Sequence, residues 1–212
     1  MGGSNGSASR AAHESRLYGQ FSSVYDAFVG RVFQPRLVAL LRALRIPAGA
    51  DVLEVGVGTG ASLAGYPAHC RLTAVDRSQA MLRAARRKVE RGGWTHVDIV
   101  EGDATALGFP DDSFDYVNAF HVVTVVDDAD RLLREAIRVC RPGGTISIVN
   151  RFRSRTGWLD RFERGLEPLT RRWGWRTMRR EDLLDGHPLD VCASWRGGPV
   201  GLFTTLVARN GK

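Results

Sequence analysis

The chain has 212 residues, with 30 Lys+Arg against 23 Asp+Glu and a formal net charge of +7. Hydrophobic residues make up 43% and charged residues 25%, which excludes wholesale disorder, and the length suits one sizeable domain. The excess charge favours an anionic partner, whether nucleic acid, membrane surface or phosphorylated ligand, without choosing among them.

Only Lys88 and Lys212 are lysines, so 28 of the 30 basic residues are arginine, the side chain best suited to carboxylate and phosphate. Cys70, Cys140 and Cys192 are odd in number and far apart, which argues against a disulfide scaffold and a structural metal site and for a reducing cytoplasm. Residues 1–9 read as a disordered tail that lacks the apolar stretch of a signal peptide. The longest apolar stretch, Val117 to Val126, is interrupted by Asn118, His121 and Thr124 and is too short to span a bilayer.

In chain order, Leu17, Tyr18, Phe21, Tyr25 and Phe28 recur at helical intervals and predict a helix over Ala11–Phe28. A second helix is expected to start near Pro35 and run through Leu44. Strands are predicted at Asp51–Gly56, Arg71–Asp76, Val97–Glu101, Phe114–Ala119 and Thr145–Asn150. Between them, Ser78 is placed to cap a helix through Met81, Leu82, Ala85 and Val89, stopped by Gly92-Gly93. Asp127 and Asp128 open another through Leu132, Leu133, Ala136 and Ile137, ended by Pro142-Gly143-Gly144. Such alternation argues for a parallel sheet with helices on both faces. Arg151–Arg176 reads as mostly helical, and Leu189–Trp195 and Val200–Ala208 as a closing pair of strands.

The informative stretch is Glu54-Val-Gly56-Val-Gly58-Thr-Gly60. Glycines after a strand permit a tight turn and close approach of a ligand to the main chain. A carboxylate two residues before the first glycine is unfavourable beside a pyrophosphate and favourable beside an ammonium. The next strand ends in Asp76, where a doubly wound site places an acid for ribose hydroxyls, and the third runs into Glu101-Gly-Asp103-Ala104. Three acids at successive strand ends around a glycine loop, without a phosphate-binding lysine, suit S-adenosylmethionine.

Over Asp51–Asn150 the sequence resembles the class I S-adenosylmethionine-dependent methyltransferases, including the Pro142-Gly143-Gly144 turn. The resemblance implies a seven-stranded doubly wound α/β sheet with an antiparallel last strand and an N-terminal helical lid. It implies a single domain over 10–212, with a lid at 10–47, a cofactor core at 51–150 and an acceptor-facing part at 151–212. It assigns Glu54 to the methionyl ammonium, Gly56, Gly58 and Gly60 to the loop, and Asp76 with Arg77 to the ribose end. Met81 would pack on the adenine, Asp103 and Ala104 would read its edge, and the segment Asn118-Ala119-Phe120-His121 would lie beneath the methyl donor.

Val52–Ser62, Phe120–Val126, Ile148–Phe152, Gly174-Trp175-Arg176 and Gly201–Thr204 are similar to the small bacterial phosphatidylethanolamine N-methyltransferases. That likeness implies a phospholipid acceptor at an anionic membrane surface, a cytoplasmic, peripherally attached monomer, and no nucleic-acid or metal partner. A soluble small molecule or a quinone is the alternative acceptor. His121 and the phenols of Tyr18 and Tyr25 are candidates for taking the amine's proton, and Arg151 for meeting the phosphate. The charge is local: residues 151–180 hold 10 arginines against Asp160, Glu163 and Glu167, with Trp158, Phe162, Leu166 and Trp173 at helical spacing. Such a segment reads either as an interfacial helix or as a cover for the sheet.

Overall fold

Val52, Leu53 and Val55 make β1 (Asp51–Val55) a strand buried on both faces, as the centre of a parallel sheet requires. A computed structural model describes residues 31–152, 178–197 and 203–212, and for residues 31–33 the backbone alone. The helix expected over Ala11–Phe28, and that over Arg151–Arg176 apart from its first two residues, lie outside the described residues.

After α1 (Arg31–Ala43) and β1 come β2 (Arg71–Asp76), α2 (Gln79–Gly92), β3 (Val97–Glu101) and β4 (Phe114–Phe120). The chain continues through α3 (Ala129–Val139), β5 (Cys140–Asn150), α4 (Arg180–Leu184), β6 (Leu189–Gly197) and β7 (Phe203–Asn210). The seven strands form one sheet in the order β3-β2-β1-β4-β5-β7-β6. β1 to β5 pair in parallel, and β7 inserts antiparallel between β5 and β6. The expected fold class and the antiparallel last strand are both present.

Strand alternation divides the core in two. Leu53, Val55, Val117, Ala119, Ile146 and Ile148 pack on one face with α3, whose Leu132, Leu133, Ala136 and Ile137 are buried. Val52, Ala74, Phe120 and Val149 pack on the other with Leu37, Leu40 and Leu41 of α1 and Leu82 and Ala85 of α2. The caps are as read: Ser78 Oγ accepts from the Met81 N–H, Asp128 Oδ1 accepts from the Arg131 N–H, and Gly93 ends α2 at φ +61°.

Two boundaries differ. α1 already runs from Arg31, so Pro35 sits inside it, where the missing N–H costs only a bond near the helix start. Pro142-Gly143-Gly144 lies within β5 rather than before it. Phe114 pairs with Cys140 but Tyr116 with Thr145, so the intervening residues bulge out of the ladder. Gly144 fits because a Cβ there would stand 2.9 Å from the Asp115 carbonyl oxygen. Arg141, carried by the bulge, pairs with Asp115 at 2.5 Å and Asp51 at 3.1 Å, tying together the starts of β4 and β1. No helix among the described residues is long and apolar enough to cross a membrane.

Candidate active site

The C-terminal ends of β1, β2 and β4 converge on the glycine loop. Its Gly56 and Val57 N–H groups both donate to the Val75 carbonyl, at 2.8 and 3.0 Å, which folds the loop back over β2. Gly56, Gly58 and Gly60 all take positive φ, at 74°, 55° and 80°. At Gly56 the constraint is double, because a Cβ would stand 2.5 Å from Val122 Cγ2 in the segment after β4. At Gly58 a Cβ would meet nothing within 4 Å, so the loop keeps an open face there.

Asp76 fixes this loop from β2. Its Oδ2 accepts from the Gly58 N–H at 2.8 Å and its Oδ1 from the Ser78 N–H at 2.8 Å. Burial raises its pKa, against those two backbone donors and the nearby charge of Arg77. Arg77 is exposed beside both Asp76 and Asp103, and it favours the ionised form of each. Met81 is buried at the start of α2.

Glu54 is 2% exposed, deep for a carboxyl. Ser62 Oγ donates to its Oε1 at 2.5 Å. Burial raises the group to about 7, Asp76 adds to the rise, and the Ser62 and Tyr66 hydroxyls oppose it. Across the β1–β4 register Glu54 pairs with Asn118, and across β4–β5 Asn118 pairs with Ser147. The three side chains therefore form a polar row on one face of an otherwise apolar sheet. Asn118 Nδ2 donates to the Tyr66 hydroxyl at 3.0 Å. Glu54 Oε2 and Asn118 Oδ1 have no hydrogen-bond partner among the described residues. Two buried acceptors without a donor complement a primary ammonium such as that of S-adenosylmethionine. The donor set therefore fits the cofactor.

Residues 53–148 match a protein-family model described as a methyltransferase domain. The chain is 38% identical over 197 residues to a phosphatidylethanolamine N-methyltransferase from Cereibacter sphaeroides, covering 91% of this chain and 95% of that one. The chain belongs to the class I S-adenosylmethionine-dependent methyltransferases. It is also 34% identical over 116 residues to a demethylmenaquinone methyltransferase from Listeria welshimeri, where it spans about half (48%) of that relative's length. A solved S-adenosylmethionine-dependent methyltransferase from Thermotoga maritima shares the fold, with a TM-score of 0.69 at 21% identity over 92% of this chain and 99% of that one. One from Aquifex aeolicus gives 0.65 at 17% identity, over 90% and 97%.

In this methyltransferase the remaining sequence-predicted residues fall as follows. Asp103 is exposed after β3, its Oδ1 accepting from the Thr105 N–H and hydroxyl at 2.8 Å each, bonds that lower its pKa. Ala104 packs against the core. Ala119 points its methyl into the core on the α3 face, so any contact with a cofactor falls to its main chain. Asn118, one residue earlier, faces Glu54. Arg151 directly follows β5 and is half-buried. Tyr18 and Tyr25 lie outside the described residues.

His121 ends β4 at φ +57°, its N–H donating to the Val149 carbonyl at 2.7 Å. A side chain held in the left-handed region at a strand end is a strained arrangement of the kind that gathers at functional sites. Burial lowers its pKa to about 4, which keeps the imidazole neutral at physiological pH. Reading the sequence for acids missed Tyr66 and the pairing of Asn118 with Glu54, since a tyrosine in a loop and an asparagine in a strand carry no charge to mark them.

Proposed function

We propose that the chain methylates the head-group amine of phosphatidylethanolamine and of its mono- and dimethyl forms, toward phosphatidylcholine, at a membrane surface. One observation carries this reading: the likeness to the Cereibacter sphaeroides enzyme extends over nearly all of both chains. The quinone-methylating relative matches over about half of each chain.

Bound S-adenosylmethionine supplies an electrophilic methyl group on a sulfonium. In this reading Glu54 and Asn118 hold its ammonium, Asp76 meets the ribose hydroxyls, and Met81 and Asp103 frame the adenine. Positioning does most of the work in such an in-line displacement. The acceptor amine must first lose a proton to expose its lone pair. A neutral His121 can accept a hydrogen bond from the incoming ammonium but stores no proton at neutral pH, which leaves Tyr18, Tyr25 or water as the sink. Arg151 faces the lipid phosphate, and the arginine-rich 151–180 segment provides the attraction to anionic lipid. The protein acts in the cytoplasm as a peripheral monomer.

The test is methyl transfer by the purified chain to vesicles carrying ethanolamine, monomethyl- or dimethylethanolamine head groups, with demethylmenaquinone in parallel. Methylation of the amine lipids with none of the quinone is expected. Methylation of the quinone alone would overturn the reading.

A further inference from the structure

A groove of about 320 Å³ lies between α1 and the β5–β7–β6 half of the sheet. Its volume is in the range of roughly 300–1,000 Å³ usual for small-molecule sites. The floor is a single row of register partners, Val149 on β5, Thr205 on β7 and Trp195 on β6. The opposite wall is α1, where the exposed Ala39 and Ala43 keep the helix surface low beside the buried Leu37 and Leu40.

The groove has two chemically different ends. One is His121, stacked edge-on against Phe203 at 5.0 Å, directly before the Val122 that abuts Gly56 of the glycine loop. The other is Trp195, 44% exposed on the edge strand. The bulge between Val191 and Ala193 reverses the alternation of β6 and sends the exposed Val191 to the far face. Among the described residues, Trp195 is therefore the one exposed large hydrophobic on the groove side. Arg36, one turn before Ala39, is the one formally charged side chain of the lining.

An apolar channel that begins beside the methyl donor's loop and leads to an exposed tryptophan suits an amphiphile whose head reacts and whose tail points outward. We infer that the groove holds an acyl chain of the acceptor lipid, running from His121 to Trp195. This rests on the lipid reading above: both acceptors weighed there carry a long hydrocarbon tail. His121 of the lining directly precedes Val122, which lies against Gly56, and this nearness to the glycine loop favours the substrate's own tail over a protein partner. Each further methylene buried tightens binding by about four-fold at most.

The experiment uses the full chain and two sets of lipids kept below their micellar concentrations. Dibutanoyl-, dihexanoyl- and dioctanoyl-phosphatidylethanolamine serve as methyl acceptors. Monoacyl phosphatidylglycerols of increasing chain length, which have no amine, are titrated by calorimetry. In the wild type both KM and Kd are expected to fall several-fold with each added pair of carbons. In Ala39→Trp and Ala43→Phe, exposed positions that fill the groove, that dependence is expected to disappear, with S-adenosylhomocysteine affinity unchanged.

Phosphatidylglycerol binding that these variants abolish, without methylation of any ethanolamine lipid, would keep the groove and sink the proposed acceptor. Methylation whose KM ignores chain length and both variants would overturn the groove and keep the acceptor. Chain-length-dependent binding that both variants leave intact would overturn the groove as the place where the chain lies.

Discussion

Asn118 and Glu54 are register partners on adjacent parallel strands, and each presents one buried acceptor oxygen on the same face of the sheet that has no donor among the described residues. Burying unsatisfied acceptors costs about 1–3 kcal/mol each, a cost that the ammonium placed here by the proposed function would relieve.

Glu54→Gln tests that balance. In the proposed function the ammonium needs the carboxylate, and burial pushes Glu54 up to about 7. Affinity for S-adenosylhomocysteine is therefore expected to rise with pH up to about 7, by up to about tenfold per unit, and then to level. In Glu54→Gln calorimetry should find weak, pH-independent binding. Stability moves the other way. A carboxyl raised above its unfolded value contributes fully below that value, and its contribution is lost as pH rises toward 7. The variant without cofactor should thus melt a few degrees higher than wild type at pH 8, with each 1 kcal/mol worth roughly 2–4 °C.

Tyr66→Phe removes the acceptor for Asn118 Nδ2 and a hydroxyl that holds Glu54 down. Loss of the phenol leaves a buried amide unpaired, at about 1–3 kcal/mol. The midpoint of the pH dependence should move above that of wild type, because one of the two hydroxyls opposing the shift is gone. A variant that merely loosened the fold would lower the melting temperature and leave this midpoint in place.

Gly56→Ala and Gly58→Ala separate sterics from backbone preference. Both need a left-handed alanine, at about 1–2 kcal/mol, but only at position 56 does the new methyl strike Val122. Thermal melts should rank Gly56→Ala well below Gly58→Ala. Gly58→Ala should cost cofactor affinity more than stability, because its methyl enters the open face of the loop.

His121→Asn keeps a residue tolerant of positive φ while removing the imidazole. Since His121 titrates at about 4, the inflection near 7 in kcat/KM at limiting cofactor should survive this substitution and vanish in Glu54→Gln. Rate profiles of the two variants between pH 5 and pH 9 check both halves of the statement.

β1, β2, β4 and β5 were legible because burial inside the sheet leaves near-continuous apolar runs, and the half-buried edge strand β3 was legible through Val97, Ile99 and Val100. Ser78, Asp128 and Gly93 mark helix ends by chemistry that is local in sequence. The acids Glu54 and Asp76 were legible for the same reason, as charges at apolar strand ends. Tyr66 was not, nor was the pairing of Asn118 with Glu54 and Tyr66, since these groups meet only when β4 aligns with β1, Tyr66 and Asn118 being 52 residues apart in sequence. The bulge in β5 was read as a turn because Pro-Gly-Gly normally ends an element, and pairing with Asp115 and Asp51 through Arg141 is a long-range effect. The groove was invisible in sequence because its floor is a row drawn from three strands, one of them antiparallel.

The strand order also bears on how such a protein can change its substrate. Glu54, Asp76 and Asp103 come from β1, β2 and the end of β3, while the floor of the groove is drawn from β5, β7 and β6, on the other side of β4. Under the proposed function, substitutions on the edge strand would retune the tail accepted without touching Glu54 or Asp76, whereas α1 packs on both halves, its Leu41 lying against Gly65 between Ser62 and Tyr66. The edge half of the sheet would then diversify while the other stays fixed, and α1, with His121 and Val122, is the seam through which a change on one side would be felt on the other.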